Sequence, residues 1–398
     1  MRRVLVSLLA LLAGGVSVAH AADQTLLQRG EYLTRAADCV ACHSAPGRAA
    51  WTGGREFDLP FGVLYSPNIT PDRDVGIGLY TDDEWVEMLH HGIGRGGKHL
   101  YPAMPYNSYT QMSRADALAI KAYLFTLTPS NAAVPANRMR FPFDQRWLMI
   151  GWNMLNNPDH RFQPVAGKSD QWNRGAYLVE ALGHCAQCHT PRNFMQGLSS
   201  QQLAGAEQQG WLAYNLTSDK DHGLGGWSDD QLVQYLHAGQ APGHGPASGP
   251  MAEAVQNSLS YMTEDDLRAM VAYLRDVPAR ADGPALVSAA LPAGAASDDA
   301  LGARIFAEAC AGCHLPDGSG RQSAWAALAG DHSVGDPSGA NIVQVLEHGS
   351  QLQTDQGLMF MHGFTGAYTH EELAALSNYV IRHFSGRAGT VTARQFAH

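Results

Sequence analysis

Cys185-Ala-Gln-Cys188-His189 recurs as Cys39-Val-Ala-Cys42-His43 and as Cys310-Ala-Gly-Cys313-His314. Two thiols two residues apart, followed at once by an imidazole, form the attachment site of a c-type haem. The thiols add to the porphyrin vinyl groups and the histidine becomes an axial iron ligand. Paired cysteines can also be half of a zinc site or a redox dithiol. Zinc would need the pairs to converge two by two, and here there are three; all six cysteines lie in the motifs, and a histidine follows every pair. The pattern therefore predicts three covalently bound haem c groups, with His43, His189 and His314 on the irons.

The second axial ligand is found by aligning the three copies on a short helical signature. Trp85, Val86, Leu89 and Gly92 match Leu232, Val233, Leu236 and Gly239, and then Ile342, Val343, Leu346 and Gly349. Twelve residues past each glycine stands a methionine: Met104, Met251 and Met361. The spacing selects Met361 over its neighbour Met359. His90, His91 and His99 are rival ligands by chemistry, but only methionine recurs in register. Met/His coordination suits electron transfer, because the thioether favours ferrous iron and two protein ligands leave no open position for substrate. Each haem then reads as a relay.

Outward from the motifs, residues 1–21 have the anatomy of a secretory signal: Arg2 and Arg3, an apolar run from Val4 to Val18, and Ala19-His20-Ala21 as the cleavage site. The run is short for a bilayer span. Export fits the chemistry, since c-type haem is attached outside the bacterial inner membrane, and it predicts a periplasmic protein that meets the outer face of that membrane peripherally or through a partner. Losing the leader moves the net charge from −10 to about −12, which argues against nucleic acid or an acidic membrane surface as partner.

The first domain is expected over 23–127. Leu26, Leu27, Tyr32 and Leu33 suggest an amphipathic helix running into Cys39. Thr81-Asp82-Asp83-Glu84 reads as a capping box, and Ser113-Arg114-Ala115-Asp116 opens the last helix. Between them the prolines on either side of Met104 stiffen its loop. Residues 128–171 are too aromatic for a flexible linker: Phe141, Phe143, Trp147, Leu148, Met149, Trp152 and Met154 are expected to pack across domains as a buried strap, the other reading being a docking surface for a subunit or a quinone.

The second domain, 172–277, repeats the first: Asn215 precedes Met251 by 36 residues, as Asn68 precedes Met104. Ser228-Asp229-Asp230-Gln231 and Thr263-Glu264-Asp265-Asp266 are its caps, and Gly245 to Pro250 make a stiff approach to Met251. Residues 278–297 are Ala, Pro and Gly-rich and read as an extended linker. The third domain, 298–386, is shorter between motif and methionine and lacks the Asn-x-Thr stretch, but ends in a helix capped at Thr369 and running to Phe384. The tail, 387–398, is polar and expected to fray.

With its leader, three CxxCH motifs, Tyr101-Pro102-Ala103-Met104-Pro105-Tyr106, Trp172-Asn173-Arg174-Gly175-Ala176-Tyr177-Leu178 and Gly249-Pro250-Met251, the chain resembles the three-haem cytochrome c subunits of bacterial periplasmic dehydrogenases, over essentially its whole mature length. The resemblance implies an all-α chain of three tandem class I cytochrome c domains. It implies a partner catalytic subunit of flavin, quinone-cofactor or molybdenum type that oxidises an alcohol, sugar, sugar acid or aldehyde. Electrons would pass haem to haem towards ubiquinone or a terminal oxidase, with His43, His189 and His314 as proximal and Met104, Met251 and Met361 as distal ligands. No catalytic residue is expected. The competing classes are a self-contained multi-haem redox enzyme and a free periplasmic electron shuttle. Two features depart from the family: Met361 is followed by His362 where many members have proline, and the amphipathic membrane-binding segment of several members has no counterpart before His398.

Overall fold

The computed structural model describes residues 24–281, 300–321, 324–355 and 357–397. The leader and most of the 278–297 linker lie outside the described residues. Among those described, no helix is long and apolar enough to cross a membrane. Contacts divide the chain into two compact units, Met1–Gln163 with Ala181–His184, and Pro164–Glu180 with Cys185–His398.

In the first unit a helix over 24–36 runs into the single turn Cys39–Cys42, and the helices Asp82–His91 and Arg114–Leu124 complete the frame. Both predicted caps form. The Thr81 side chain accepts from the Glu84 N–H while Glu84 reaches back to the Thr81 N–H, and the Ser113 hydroxyl accepts from the Asp116 N–H. These bonds satisfy donors that a helix start leaves orphaned. Trp85 is buried and donates its indole N–H to the Ala117 carbonyl at 2.8 Å, tying the two helices together.

The second unit carries the same order twice. Asp170–Tyr177, Asp229–Ala238 and Glu264–Leu274 form one set, and Ala300–Ile305, Ala340–His348 and His370–Ser385 the other. Ser228, Thr263 and Thr369 cap as expected. Leading into each CxxCH motif here the chain widens into a π-helical turn, Leu178–Leu182, three residues ahead of Cys185, and Phe306–Cys310, which ends on the motif's first cysteine.

One contact recurs in all three copies. A Cβ placed on Gly30 would lie 2.1 Å from the Ala119 carbonyl oxygen; on Gly175 it would lie 1.8 Å from that of Ala269; on Gly302, 2.3 Å from that of Ala375. The opening and closing helices of each copy therefore cross backbone to backbone, at a separation only glycine permits. Two of the crossings are flanked by a forked ion pair: Arg29 donates twice to Asp116 at 2.9 and 2.6 Å, and Arg174 twice to Asp266 at 2.8 and 2.7 Å. The third copy has Leu301 and Glu372 at those positions and no such pair.

The fold is helical for the most part, but the all-α expectation needs correcting. Short antiparallel ladders join Gly62–Tyr65 to Glu56–Leu59 on one side and Arg138–Met139 on the other, Ile93–Gly94 to Lys98–His99, Ala206–Gln208 to Trp211–Ala213, and Ser350–Thr354 to Gly357–Met361. Strands this short leave too little alternation to be read from sequence.

Two further expectations change. The connector is not a buried strap: Phe141, Phe143, Trp147, Ile150, Met154 and Leu155 are exposed, and of its large apolar side chains only Trp152 is buried, edge-on to Tyr106 with ring centroids 6.0 Å apart. Its helix, Leu148–Asn156, is apolar nearly all round, so composition cannot say which face turns inward. The tail, likewise, does not fray. Val391 and Phe396 are buried in the third copy's core, and Asn378 exchanges two hydrogen bonds with the Val391 backbone at 2.9 and 3.0 Å. Two apolar side chains and several hydrogen bonds, among them Arg387 to the Gly335 carbonyl and Gln395 to that of Ser338, dock an otherwise polar segment.

Candidate functional site

Each CxxCH motif occupies one helical turn, which brings its thiols and imidazole to one place. All six cysteines are free. Burial pushes the Cys39 and Cys185 thiols up to about 12 and Cys310 up to about 11. Among the described residues no three of His, Cys, Asp and Glu gather into a group able to hold a metal ion, so the pairs do not converge as halves of a zinc site would.

The three histidines share one arrangement. His43 Nδ1 bonds the Pro67 carbonyl at 2.8 Å, His189 Nδ1 that of Tyr214 at 2.5 Å, and His314 Nδ1 that of Ala326 at 2.8 Å. A carbonyl can only accept, so in each ring Nδ1 carries the proton and Nε2 presents its lone pair. Burial holds all three imidazoles below the usual histidine range, an effect larger than the opposing pull of the hydrogen bond. A neutral imidazole, oriented through Nδ1 and basic at Nε2, is the form that binds iron.

The carbonyls that hold these rings are themselves held. Asn68, directly after Pro67, accepts from the Thr70 N–H at 2.8 Å and donates to the Ser130 carbonyl at 2.8 Å; Asn215, directly after Tyr214, accepts from the Thr217 N–H at 2.8 Å and donates to the Arg280 carbonyl at 2.7 Å. The recurring Asn-x-Thr thus positions the histidine's acceptor. In sequence these asparagines were visible as markers of the repeat, but nothing local tied them to the imidazoles. The third copy does without them and uses Ala326.

The methionines share a sequence spacing but not a local structure. Met104 follows the short Lys98–His99 strand in a turn, its N–H bonded to the Tyr101 carbonyl at 3.2 Å. Met251 stands in the first turn of the helix Gly249–Asn257, where a stiff loop was expected. Met361 ends a hairpin strand opposite Ser350. The aligned glycines explain part of this. Gly92 (φ 64°, ψ 28°) and Gly239 (φ 77°, ψ 13°) close their helices in the left-handed conformation, whereas Gly349 (φ 77°, ψ −176°) turns directly into a strand.

In the third copy the parts surround a cavity of about 1060 Å³. Cys310, Cys313 and His314 line it together with Met359, Met361 and His362; Phe306, Leu376 and Val380 supply apolar wall. The volume sits at the upper end for a cofactor pocket. Two thiols, an Nε2 lone pair and a thioether around one apolar space form the donor set that haem c requires, so the residues fit the group. Met359 and Met361 share a strand face because side chains alternate; only Met361 also packs against the core cluster. Of the rival histidines, His90 is buried on its helix with Nε2 unpartnered and pushed down to about 4, mainly by burial; His91 lies 3.8 Å from Glu87 and 3.7 Å from Asp159; and His99 belongs to a two-residue strand.

A family model, Cytochrome c, matches residues 173–278 and 300–382. The fructose dehydrogenase cytochrome subunit of Gluconobacter japonicus is 36% identical over 94% of this chain and 82% of its own length. The chain belongs to the family of dehydrogenase cytochrome c subunits. The gluconate 2-dehydrogenase cytochrome c subunit of Pantoea cypripedii is 35% identical over 98% of this chain and 94% of its own. The alcohol dehydrogenase (quinone) cytochrome c subunit of Gluconobacter oxydans (strain 621H) is 34% identical over 98% and 85%. Cytochromes c hold haem c covalently, and the bound group supplies a one-electron ferric/ferrous couple. For such a group this cytochrome subunit would offer the thiols of the CxxCH motifs, neutral imidazoles locked by backbone carbonyls, and apolar walls.

Proposed function

We propose that this chain carries three haem c groups and takes electrons from the catalytic subunit of a dehydrogenase that oxidises an alcohol, sugar, sugar acid or aldehyde. Attachment is through Cys39 and Cys42, Cys185 and Cys188, and Cys310 and Cys313, with His43, His189 and His314 as proximal and Met104, Met251 and Met361 as distal ligands. The single observation that carries the reading is the threefold recurrence of an anchored imidazole beside a thiol pair, Nδ1 on a backbone carbonyl each time. The leader over 1–21 would deliver the chain to the periplasm, and ubiquinone or a terminal oxidase would receive its electrons.

A catalytic partner is supported by the family's composition of cytochrome subunits and by the connector. Trp147, Ile150, Met154 and Leu155 form an exposed, uncharged helix face. The same helix braces the Met104 loop, Asn153 accepting from the Tyr106 hydroxyl at 2.8 Å. Trp and Met on an uncharged face match the composition of the fully buried part of subunit interfaces.

The test is to purify the tagged protein from its native host in mild detergent, count haem per chain, and identify what co-purifies by mass and cofactor content. Three haems and a large flavin, quinone-cofactor or molybdenum subunit are expected. A chain that comes alone would overturn the subunit reading, and fewer than three haems the haem assignment. For the least regular ligand, Met361→His should lower one of the three potentials; an unchanged titration would show that Met361 is not on the iron.

A further inference from the structure

The proximal histidine of the second copy is wired to the wall of the third copy's cavity. His189 Nδ1 bonds the Tyr214 carbonyl at 2.5 Å. The Tyr214 hydroxyl accepts from Asn341 Nδ2 at 3.2 Å, and Asn341 lines the third cavity. Asn341 also pairs with the backbone of Leu212, in the strand just before Tyr214, accepting from the Leu212 N–H at 2.8 Å and donating to the Leu212 carbonyl at 3.0 Å. A buried side-chain amide here behaves as a strand partner for Leu212, and its three hydrogen bonds to Leu212 and Tyr214 all run to the second copy.

The surroundings fix this contact. His332 sits edge-on to Tyr214 with ring centroids 5.8 Å apart, and its Nε2 lies 3.3 Å from His244 Nδ1. Gln344, one turn after Asn341, lies against Gly210, where a Cβ would come within 2.5 Å of its amide. Leu352 fills the space beside Gly239, the glycine that closes the second copy's helix. Pro246, Ala247 and Ser248, on the approach to Met251, form part of the third cavity's wall. Both the histidine and the methionine segments of the second site therefore abut the third.

We propose that Asn341 is a positioning residue for electron passage between the second and third haem sites, acting through Tyr214 on the imidazole of His189. The inference rests on the reading of Cys185/Cys188 and Cys310/Cys313 as haem sites. An electron moving between them oxidises one iron as it reduces the other and needs no further reactant. Asn341 fixes the span to be crossed and, by setting the Tyr214 carbonyl, the electron density that His189 offers its iron. The amide is suited to both tasks because it donates and accepts in one plane. An aspartate could keep the bond from the Leu212 N–H but would lose both donors.

The test uses the full haem-loaded chain. Haem methyl resonances shifted by the ferric irons are followed by NMR through a reductive titration, and the second haem is identified by its loss of methionine signals in Met251→Ala. Asn341→Ala is expected to move the second haem's resonances and midpoint while leaving those of the first, and to slow exchange between the second and third haems about tenfold or more, as ångström-scale misplacement of reacting groups does. Tyr214→Phe, which keeps the carbonyl and removes only the hydroxyl, is expected to shift the same resonances by less. Asn341→Gln should restore part of the effect. If Asn341→Ala lowers thermal stability but leaves the second haem's resonances and exchange unchanged, the residue is merely structural and the inference fails. Should that variant not fold, Tyr214→Phe decides alone: unchanged resonances and exchange overturn the proposal. A parent protein with fewer than three haems would instead overturn the underlying haem reading.

Discussion

Gly175→Ala is the sharpest test of how the cytochrome domains are assembled. The added methyl would stand 1.8 Å from the Ala269 carbonyl oxygen and 2.4 Å from its carbon. The obstacle is backbone inside the helix Glu264–Leu274, so no rotamer change relieves it. The two helices must move apart by over an ångström, which loosens contacts along the whole crossing, including the packing of Ala176, Leu267 and Met270, all nearly fully buried. Overpacking of this kind costs about 1–3 kcal/mol, and a rigid backbone obstacle places it near about 3. Against this, alanine favours a helix over glycine by about 0.5–1 kcal/mol. The net expectation is a loss of about 2 kcal/mol. Gly151→Ala is the matched control, because that glycine is also helical but meets nothing within 4 Å; it should be stabilising by about 0.5 kcal/mol. Native-state hydrogen exchange reads the effect locally, at amides of Asp170–Tyr177 and Glu264–Leu274. If both variants change protection alike, the backbone crossing is not what holds the helices, and the reasoning from Gly30, Gly175 and Gly302 falls together.

Three other outcomes are expected. Asn215→Ala leaves the Thr217 N–H and the Arg280 carbonyl without their partner, costing about 1–3 kcal/mol, and by loosening the Tyr214 carbonyl it should raise one haem potential; a titration identical to the parent would sever Asn215 from His189. Trp152→Ala should cost about 3 kcal/mol as a large-to-small change at a buried site, seen as lost exchange protection at 148–156, whereas Phe141→Ser, at a residue 80% exposed, should change stability by less than about 0.5 kcal/mol. The contact around His332 should weaken in acid. Burial pushes His244 down to about 4 and His332, which also feels His244, down to about 3, while burial pushes Asp331 up to about 6. Both histidines are thus held neutral and would take up protons on opening below the ordinary histidine value, so their contribution is present above that value and lost as pH falls. Asp331 runs the other way, its contribution present at low pH and lost as pH rises through about 6. Opening between about pH 4 and 6 then takes up about one net proton, and stability should fall by about 1 kcal/mol per unit of acidification. A flat pH profile of exchange at Ala340–His348, or one unchanged by His332→Gln, would contradict this.

The segments most legible in sequence were those whose physics is local. A capping box needs four consecutive residues, and those at Thr81, Ser228 and Thr369 all form. The closing helix expected from Thr369 to Phe384 spans His370–Ser385. Where a side chain's partner is distant in the chain, sequence was silent or misleading. The connector's apolar residues invited burial, yet most face outward; the tail looked too polar to dock, yet Val391 and Phe396 are buried. One spacing of twelve residues from glycine to methionine proved compatible with a turn, a helix and a strand.

By itself, then, the sequence determined which groups meet at each motif, because two thiols and an imidazole within five residues fall on one helical turn, and it determined the repeat, because duplicated segments keep their spacing. Only the tertiary structure decided which carbonyl locks each imidazole, that Gly30, Gly175 and Gly302 are crossing points, and that Asn341 reaches from the third site to the second. Each of these joins residues from 12 to 129 positions apart. Their pairing is set by how helices pack, a property of the whole copy that no short stretch contains.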